Sequence, residues 1–143
     1  MIKVHAYLNF AGRAEEAFKF YKSVFGGEFS SLVRFKDMPM EGVQLSAAAQ
    51  EQILHIALPI GRDDMLMGSD VPEGLVAPPR PGSTVHISLH PDSKEEADRI
   101  FRGLSAGGRI EQAIGDAPWG DYYGSFEDKF GINWMVNYSP PKQ

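Results

Sequence analysis

The sequence predicts an α+β fold: two βαβββ modules whose sheets form a cupped, half-barrel mixed sheet with the helices on its outside. Three observations predict it. KVHAYLNFAGRAEEAFKFYKSVFGG (3–27) and STVHISLHPDSKEEADRIFRGLSAGG (83–108) repeat one pattern, in which a Val-His pair opens an apolar run, Glu-Glu-Ala follows and Gly-Gly closes. Each copy passes from a period of two to a helical period and is followed by further strand-like runs. Between the copies, VPEGLVAPPRPGS (71–83) is dense in Pro and Gly and reads as a linker.

The elements follow in order. Ile2, Val4, Ala6, Leu8 and Phe10 alternate with Lys3, His5, Tyr7 and Asn9, the pattern of a strand with one apolar face. Ala14, Ala17, Phe18, Tyr21, Val24 and Phe25 recur at helical spacing, and Gly26-Gly27 supplies a left-handed stop. EFSSLVRFK (28–36) reads as a strand. A loop rich in Met, Pro and Gly leads to the strands ILHIALPIG (53–61) and DMLMGSD (64–70). In the second copy Val85, Ile87 and Leu89 alternate with Thr84, His86, Ser88 and His90. Ser93-x-x-Glu96 suggests a capping box, Ala97, Ile100, Phe101 and Leu104 form the helical stripe, and Gly107-Gly108 ends it. RIEQAIGD (109–116), YYGSFEDK (122–129) and INWMVNY (132–138) are the last strands, with a hairpin turn at Asp128–Gly131. The chain thus reads as one domain over 1–143, with module one at 1–70, the linker at 71–83, module two at 84–138 and a tail at 139–143.

Composition narrows the function. The chain has 143 residues, no cysteine and a formal charge of −5. Disulfides, thiolate metal sites and cysteine nucleophiles are excluded. Lys and Arg are scattered, so nucleic acid is not an expected partner. No run is long and uncharged enough to cross a bilayer, and the opening residues lack a signal-peptide core, so a cytoplasmic protein without membrane association is expected.

The apolar side of each first strand must lie under its helix. His5, Tyr7 and Asn9, and likewise His86, Ser88 and His90, therefore belong to the concave side, where a small-molecule pocket is expected. Each candidate there has a plainer alternative. His55, in an apolar strand, serves as a ligand contact or a hydrogen-bonded structural group. Arg34 meets an anion or is a solvated edge charge. Met65, Met67, Trp134 and Met135 floor the pocket or fill the core. Trp119, Tyr122 and Tyr123 rim the pocket or staple a loop. Glu15-Glu16 and Lys94-Glu95-Glu96 are exposed helix starts, where acids suit the helix dipole.

YLNFAGRAEEAFKFYKSVFGG (7–27), LHIALPIGRDDMLMGSD (54–70) and PWGDYYGSFEDKFGINWMVNY (118–138) resemble the PhnB-like branch of the vicinal oxygen chelate superfamily, which includes glyoxalase I, extradiol dioxygenases and bleomycin-resistance proteins. Some members of that branch carry a demethylubiquinone methyltransferase label. The resemblance covers nearly the whole chain and implies a pocket protein that is often a homodimer. It also implies a divalent metal held by residues of the first and last strands, acting as a Lewis acid on adjacent substrate oxygens. His5 and His86 stand where first-strand ligands would stand. On the last strands Met65 or Met67, and Met135, stand where relatives present a carboxylate, and thioethers suit oxygen-preferring metals poorly.

The leading expectation is therefore a pocket without a complete metal site and without a cofactor, binding a small, partly apolar molecule. The alternative is a metal-dependent lyase or dioxygenase with His5 and His86 as ligands and a loop carboxylate such as Asp70 or Glu73. A third reading is a dimerisation module with a filled cup. An S-adenosylmethionine methyltransferase is disfavoured, because Gly26-Gly27 and Gly107-Gly108 follow helices instead of joining a strand to a helix. No Walker loop, G-x-S-x-G elbow or H-E-x-x-H occurs.

Overall fold

A computed structural model describes residues 1–141. The chain divides into two compact units, one over Met1–Arg80 and the other from Pro81 onward. Each holds one helix of twelve residues and one four-stranded mixed sheet, which establishes the α+β class. Neither sheet is closed.

In the first unit β1 (Ala6–Phe10) leads to α1 (Ala14–Phe25), β2 (Ser31–Arg34), a short α2 (Ala47–Gln50), β3 (Ile53–Ile60) and β4 (Asp64–Asp70). The sheet order is β1-β4-β3-β2, with β1 parallel to β4 and the other pairs antiparallel. Ala14, Ala17, Phe18, Tyr21 and Val24 form the buried stripe of α1, as their spacing requires. Beneath it lie Leu8 and Phe10 of β1, Ile56 and Leu58 of β3 and Leu66 of β4, all at most 8% exposed. Gly68 lets the helix approach: a Cβ there would lie 2.7 Å from Phe18 Cε1 and 2.8 Å from the Leu8 carbonyl oxygen.

The second unit repeats the plan with β5 (Ile87–Leu89), α3 (Lys94–Ser105), β6 (Arg109–Asp116), β7 (Tyr122–Glu127) and β8 (Asn133–Tyr138), in sheet order β5-β8-β7-β6. Ser93 caps α3, its hydroxyl accepting the Glu96 N–H at 3.1 Å. Ala97, Ile100, Phe101 and Leu104 are buried on that helix. Gly124 plays the part of Gly68, since a Cβ there would lie 2.7 Å from Phe101 Cε2.

Three local expectations change. The first strands start late: Ile2, Val4 and Val85 are 90%, 84% and 72% exposed, and pairing begins only at Ala6↔Leu66 and Ile87↔Trp134. Alternation marks which residues could enter a strand, but an edge strand extends only as far as its neighbour pairs with it. The strand expected over 28–36 is confined to Ser31–Arg34, because the chain turns into a 3-10 helix at Phe35–Asp37. The expected loop before β3 contains α2, whose N–H of Ala49 is accepted by the Ser46 hydroxyl at 3.1 Å.

Candidate functional site

Registers fix which residues share the face of each sheet turned away from its helix. In the first unit Tyr7, Met67, Ala57 and Ser31 form one cross-strand row. In the second the corresponding row is Ser88, Met135, Ser125 and Gln112. Met67 and Met135 therefore occupy matched places, each directly beside a residue of the first strand of its unit.

On the first of these faces Tyr7 and His55 stack, with ring centroids 5.9 Å apart and planes 29° from parallel. The Tyr7 hydroxyl stands 3.5 Å from His55 Nδ1, at the outer limit of a hydrogen bond. Asn9 shares the face with Tyr7, two residues along β1, and is exposed.

The second face is richer in polar chemistry. His86, Ser88 and His90 line its β5 edge at intervals of two, and the Ser88 hydroxyl lies 3.0 Å from His90 Nε2. His86 Nε2 lies 3.0 Å from Glu111 Oε1, both side chains being partly exposed. β5 and β6 are the two edges of this sheet, and three strand spacings of about 4.8 Å would hold them about 14 Å apart if it were flat. Contact between His86 and Glu111 means that the sheet curls. The register shift between Ile110 and Gln112 helps, because a bulge strengthens twist and re-aims the extra residue, here Glu111.

At the far end of β8, Asn137 Nδ2 donates to Asp121 Oδ2 at 3.0 Å. That bond, with others from Ser139 and Trp119, holds the Asp121 carboxyl below its ordinary range. Trp119 meets Tyr123 edge-on, with centroids 5.5 Å apart. A cavity of about 290 Å³ opens beside Asn137, lined also by His90, Asp92 and Ser139.

Several expected site residues lie elsewhere. Trp134 is fully buried, and its indole N–H donates to Asp128 Oδ2 at 2.8 Å. It pairs with Phe126, which packs on Phe101 of α3, so it faces the helix. Neighbours along a strand point to opposite faces, so Trp134 and Met135 cannot floor the same pocket. Arg34 neither awaits an anion nor stands solvated: it grips Glu15 of α1 with two bonds, of 3.0 and 2.8 Å, and donates to the Glu51 carbonyl at 2.8 Å. Tyr122 turns to α3, donating to Asp98 Oδ1 at 2.6 Å. His5 precedes β1 and is exposed.

The donor set does not fit the metal site that the resemblance implies. Asp70 is 4% exposed and both its oxygens are engaged: Oδ1 accepts the N–H groups of Gly12 and Ala14, and Oδ2 that of Ile53, each at 2.9 Å. Glu73 is exposed beyond β4. His86 already has Glu111 as partner, and among the described residues no three His, Cys, Asp or Glu side chains gather closely enough to hold an ion. Glu111 and Asp121 were not anticipated. Strand period alone puts Glu111 on the face opposite Ile110, whereas Asp121 is placed by the hairpin that Ala117 N–H closes on the Asp121 carbonyl.

Two βαβββ units, each with a helix on one face and polar groups on the other, define a glyoxalase-type α+β protein. The family model for the Glyoxalase/Bleomycin resistance protein/Dioxygenase superfamily matches residues 3–136, and the chain belongs to that family. Protein YjdN of Escherichia coli is 30% identical over 141 residues, covering 92% of this chain and 91% of its own. The crystal structure of protein PA1353 from Pseudomonas aeruginosa superposes with a TM-score of 0.83 at 34% identity, over 97% of this chain and 98% of that one. The PhnB protein from Bacillus cereus follows the same fold with a TM-score of 0.71 at 26% identity, over 96% and 100%. No helix among the described residues is long and apolar enough to cross a membrane.

Proposed function

We propose that the helix-free face of the second unit binds a small, partly apolar molecule through protein side chains alone, with no resident metal. The observation that carries this reading is the setting of Met135. It lies beside Ser88 and Ser125 on a face that also carries the His86–Glu111 pair, the Ser88–His90 pair and Asn137. A polarizable, flexible thioether takes the apolar part of a ligand, and the surrounding donors and acceptors fix its orientation.

A fragment screen by ligand-observed NMR, run with and without a chelator, tests this. Binding should be equal in the two conditions and should be lost in Met135→Arg, a variant whose urea midpoint should stay near that of the parent. Binding that needs an added divalent metal, or that survives Met135→Arg, would sink the reading. So would a stoichiometric metal in protein purified without chelator that disappears in His86→Ala, which would favour a metal-dependent lyase or dioxygenase.

A further inference from the structure

The hairpin between β6 and β7 sets one end of the second face. Ala117 N–H donates to the Asp121 carbonyl at 2.7 Å and Gly120 N–H to the Ala117 carbonyl at 3.0 Å, with Gly120 at φ 101°, where a side chain would be strained. This turn holds Trp119 at its tip, 61% exposed although it is the most apolar large surface of the segment. Its ring meets Tyr123 edge-on, and Tyr123 is the cross-strand partner of Asn137. Asn137 in turn binds the Asp121 carboxylate and lines the cavity of about 290 Å³, close to the lower size of ligand cavities. At this corner Asn137 thus joins the cavity on one side to the Asp121 carboxylate and the Trp119–Tyr123 ring pair on the other.

The charge of this corner selects its ligand. Among the described residues no Lys or Arg stands within ion-pair distance of Asp121 or of Asp92, which lines the same cavity. Hydrogen bonds from Asn137, Ser139 and Trp119, together with the charge of His90 across the same cavity, favour the ionised form of Asp121, so its carboxylate is the anionic group of the corner. An anionic ligand would be repelled, and a neutral one would gain only contact area. A cation gains attraction to the carboxylate and to the negative faces of the aromatic rings.

We propose that the corner formed by Trp119, Tyr123, Asp121 and Asn137 receives the ammonium group of a small organic cation, whose uncharged remainder enters the adjoining cavity. This rests on the reading of the helix-free face as a binding surface and adds the charge class of what binds there.

Choline and its neutral isostere 3,3-dimethylbutan-1-ol separate charge from shape. Titrated into the ¹⁵N-labelled full chain, choline should shift the resonances of Trp119, Asp121, Tyr123 and Asn137 and bind about tenfold or more tighter than the alcohol. Asp121→Asn should bring choline down to the level of the alcohol while leaving the alcohol unchanged, and Trp119→Ala should weaken choline. Urea midpoints of both variants check folding, and Asp121→Asn, which keeps the shape of the side chain, is the safer of the two.

Equal affinities for choline and the alcohol, choline shifts confined to other regions, or a choline affinity untouched by Asp121→Asn would each overturn the proposal. Neutral fragments binding around Met135 with no preference for choline would end the cation inference and leave the binding-face reading standing. Fragments and choline both failing to bind anywhere on the face would end both.

Discussion

Replacing Asp70 tests the division between structural and ligand-binding carboxylates. Its side chain joins three segments, since it accepts N–H groups of Gly12 and Ala14 at the start of α1 and of Ile53 at the start of β3, while sitting at the end of β4. The residue before α1, Arg13, makes no side-chain cap, so Asp70 supplies from a distance the acceptor that a local Ser or Asp would supply. Asp70→Ala strands three N–H groups in a site that is 4% exposed in the parent. At about 1–1.5 kcal/mol each, the loss is about 3–4.5 kcal/mol, a large share of the roughly 5–15 kcal/mol that stabilises a typical domain. Asp70→Asn is informative because its shape is the same. Its oxygen can keep two donors, but its NH₂ then meets the third, donor against donor, at a cost of about 2 kcal/mol. Urea unfolding should therefore rank parent, Asn and Ala in that order, with unchanged slopes. A loss under about 1 kcal/mol in Asp70→Ala would refute the three-way clamp. Asp70→Asn should also leave fragment binding at the second unit unchanged, whereas a ligand site that needed this carboxylate would lose binding with its charge.

Three other outcomes follow from the same packing. Arg34→Ala should cost about 1 kcal/mol, because the bidentate pair with Glu15 is only partly exposed. The Arg34 hydrogen bonds lower the Glu15 pKa from 4.5, so this stabilisation is complete above pH 4.5 and fades as pH falls below it. The gap between parent and variant should shrink between pH 7 and pH 3, and an unchanged gap in urea melts at the two values would contradict the pairing. Gly124→Ala should cost about 1–3 kcal/mol, read by thermal unfolding, because its Cβ would lie 2.8 Å from Ile114 Cα as well as against Phe101. Unchanged stability there would show that α3 does not pack as closely as described. Trp119→Phe leaves only buried Trp134, whose fluorescence should resist acrylamide, whereas Trp134→Phe leaves exposed Trp119, which should be readily quenched. Equal quenching of the two would return Trp134 to an accessible face.

The parts of the fold legible in the sequence are those set by short-range periodicity. The stripes Ala14–Val24 and Ala97–Leu104 and the strand pairs at 53–70 and 122–138 carry their period in the chain itself. What was not legible depends on partners distant in sequence. Ile2 and Val4 alternate as well as Leu8 and Phe10 do, yet β4 pairs β1 only from Ala6. Arg34 shows no local sign that Glu15 would be delivered to it by the docking of α1. Asp70 ends a strand and caps a helix 56 residues away from it in sequence. The Trp134 assignment is different, since the two-residue period already forbids placing it beside Met135 on one face.

The duplicated plan also separates the faces of each sheet by how tightly they are specified. On the helix side each unit seats a helix phenylalanine over a sheet glycine, though on different strands, Phe18 over Gly68 of β4 and Phe101 over Gly124 of β7, because a buried interface tolerates little change in volume. On the opposite face no helix imposes that demand, and matched places have diverged: Tyr7 stands against Ser88, and Ala57 against Ser125. Within the paired strands, the central methionines, Met67 and Met135, keep both place and identity. The histidines show why repetition in letters does not establish repetition in chemistry. His5 and His86 each precede the first strand of a unit, but His5 is exposed, whereas His86 reaches a glutamate across a curled sheet. Paired first-strand histidines therefore do not amount to paired ligands. The polar chemistry is concentrated in the second unit, where the bulge in β6 delivers Glu111 and the following hairpin delivers Asp121, two features with no counterpart in the repeated stretch itself.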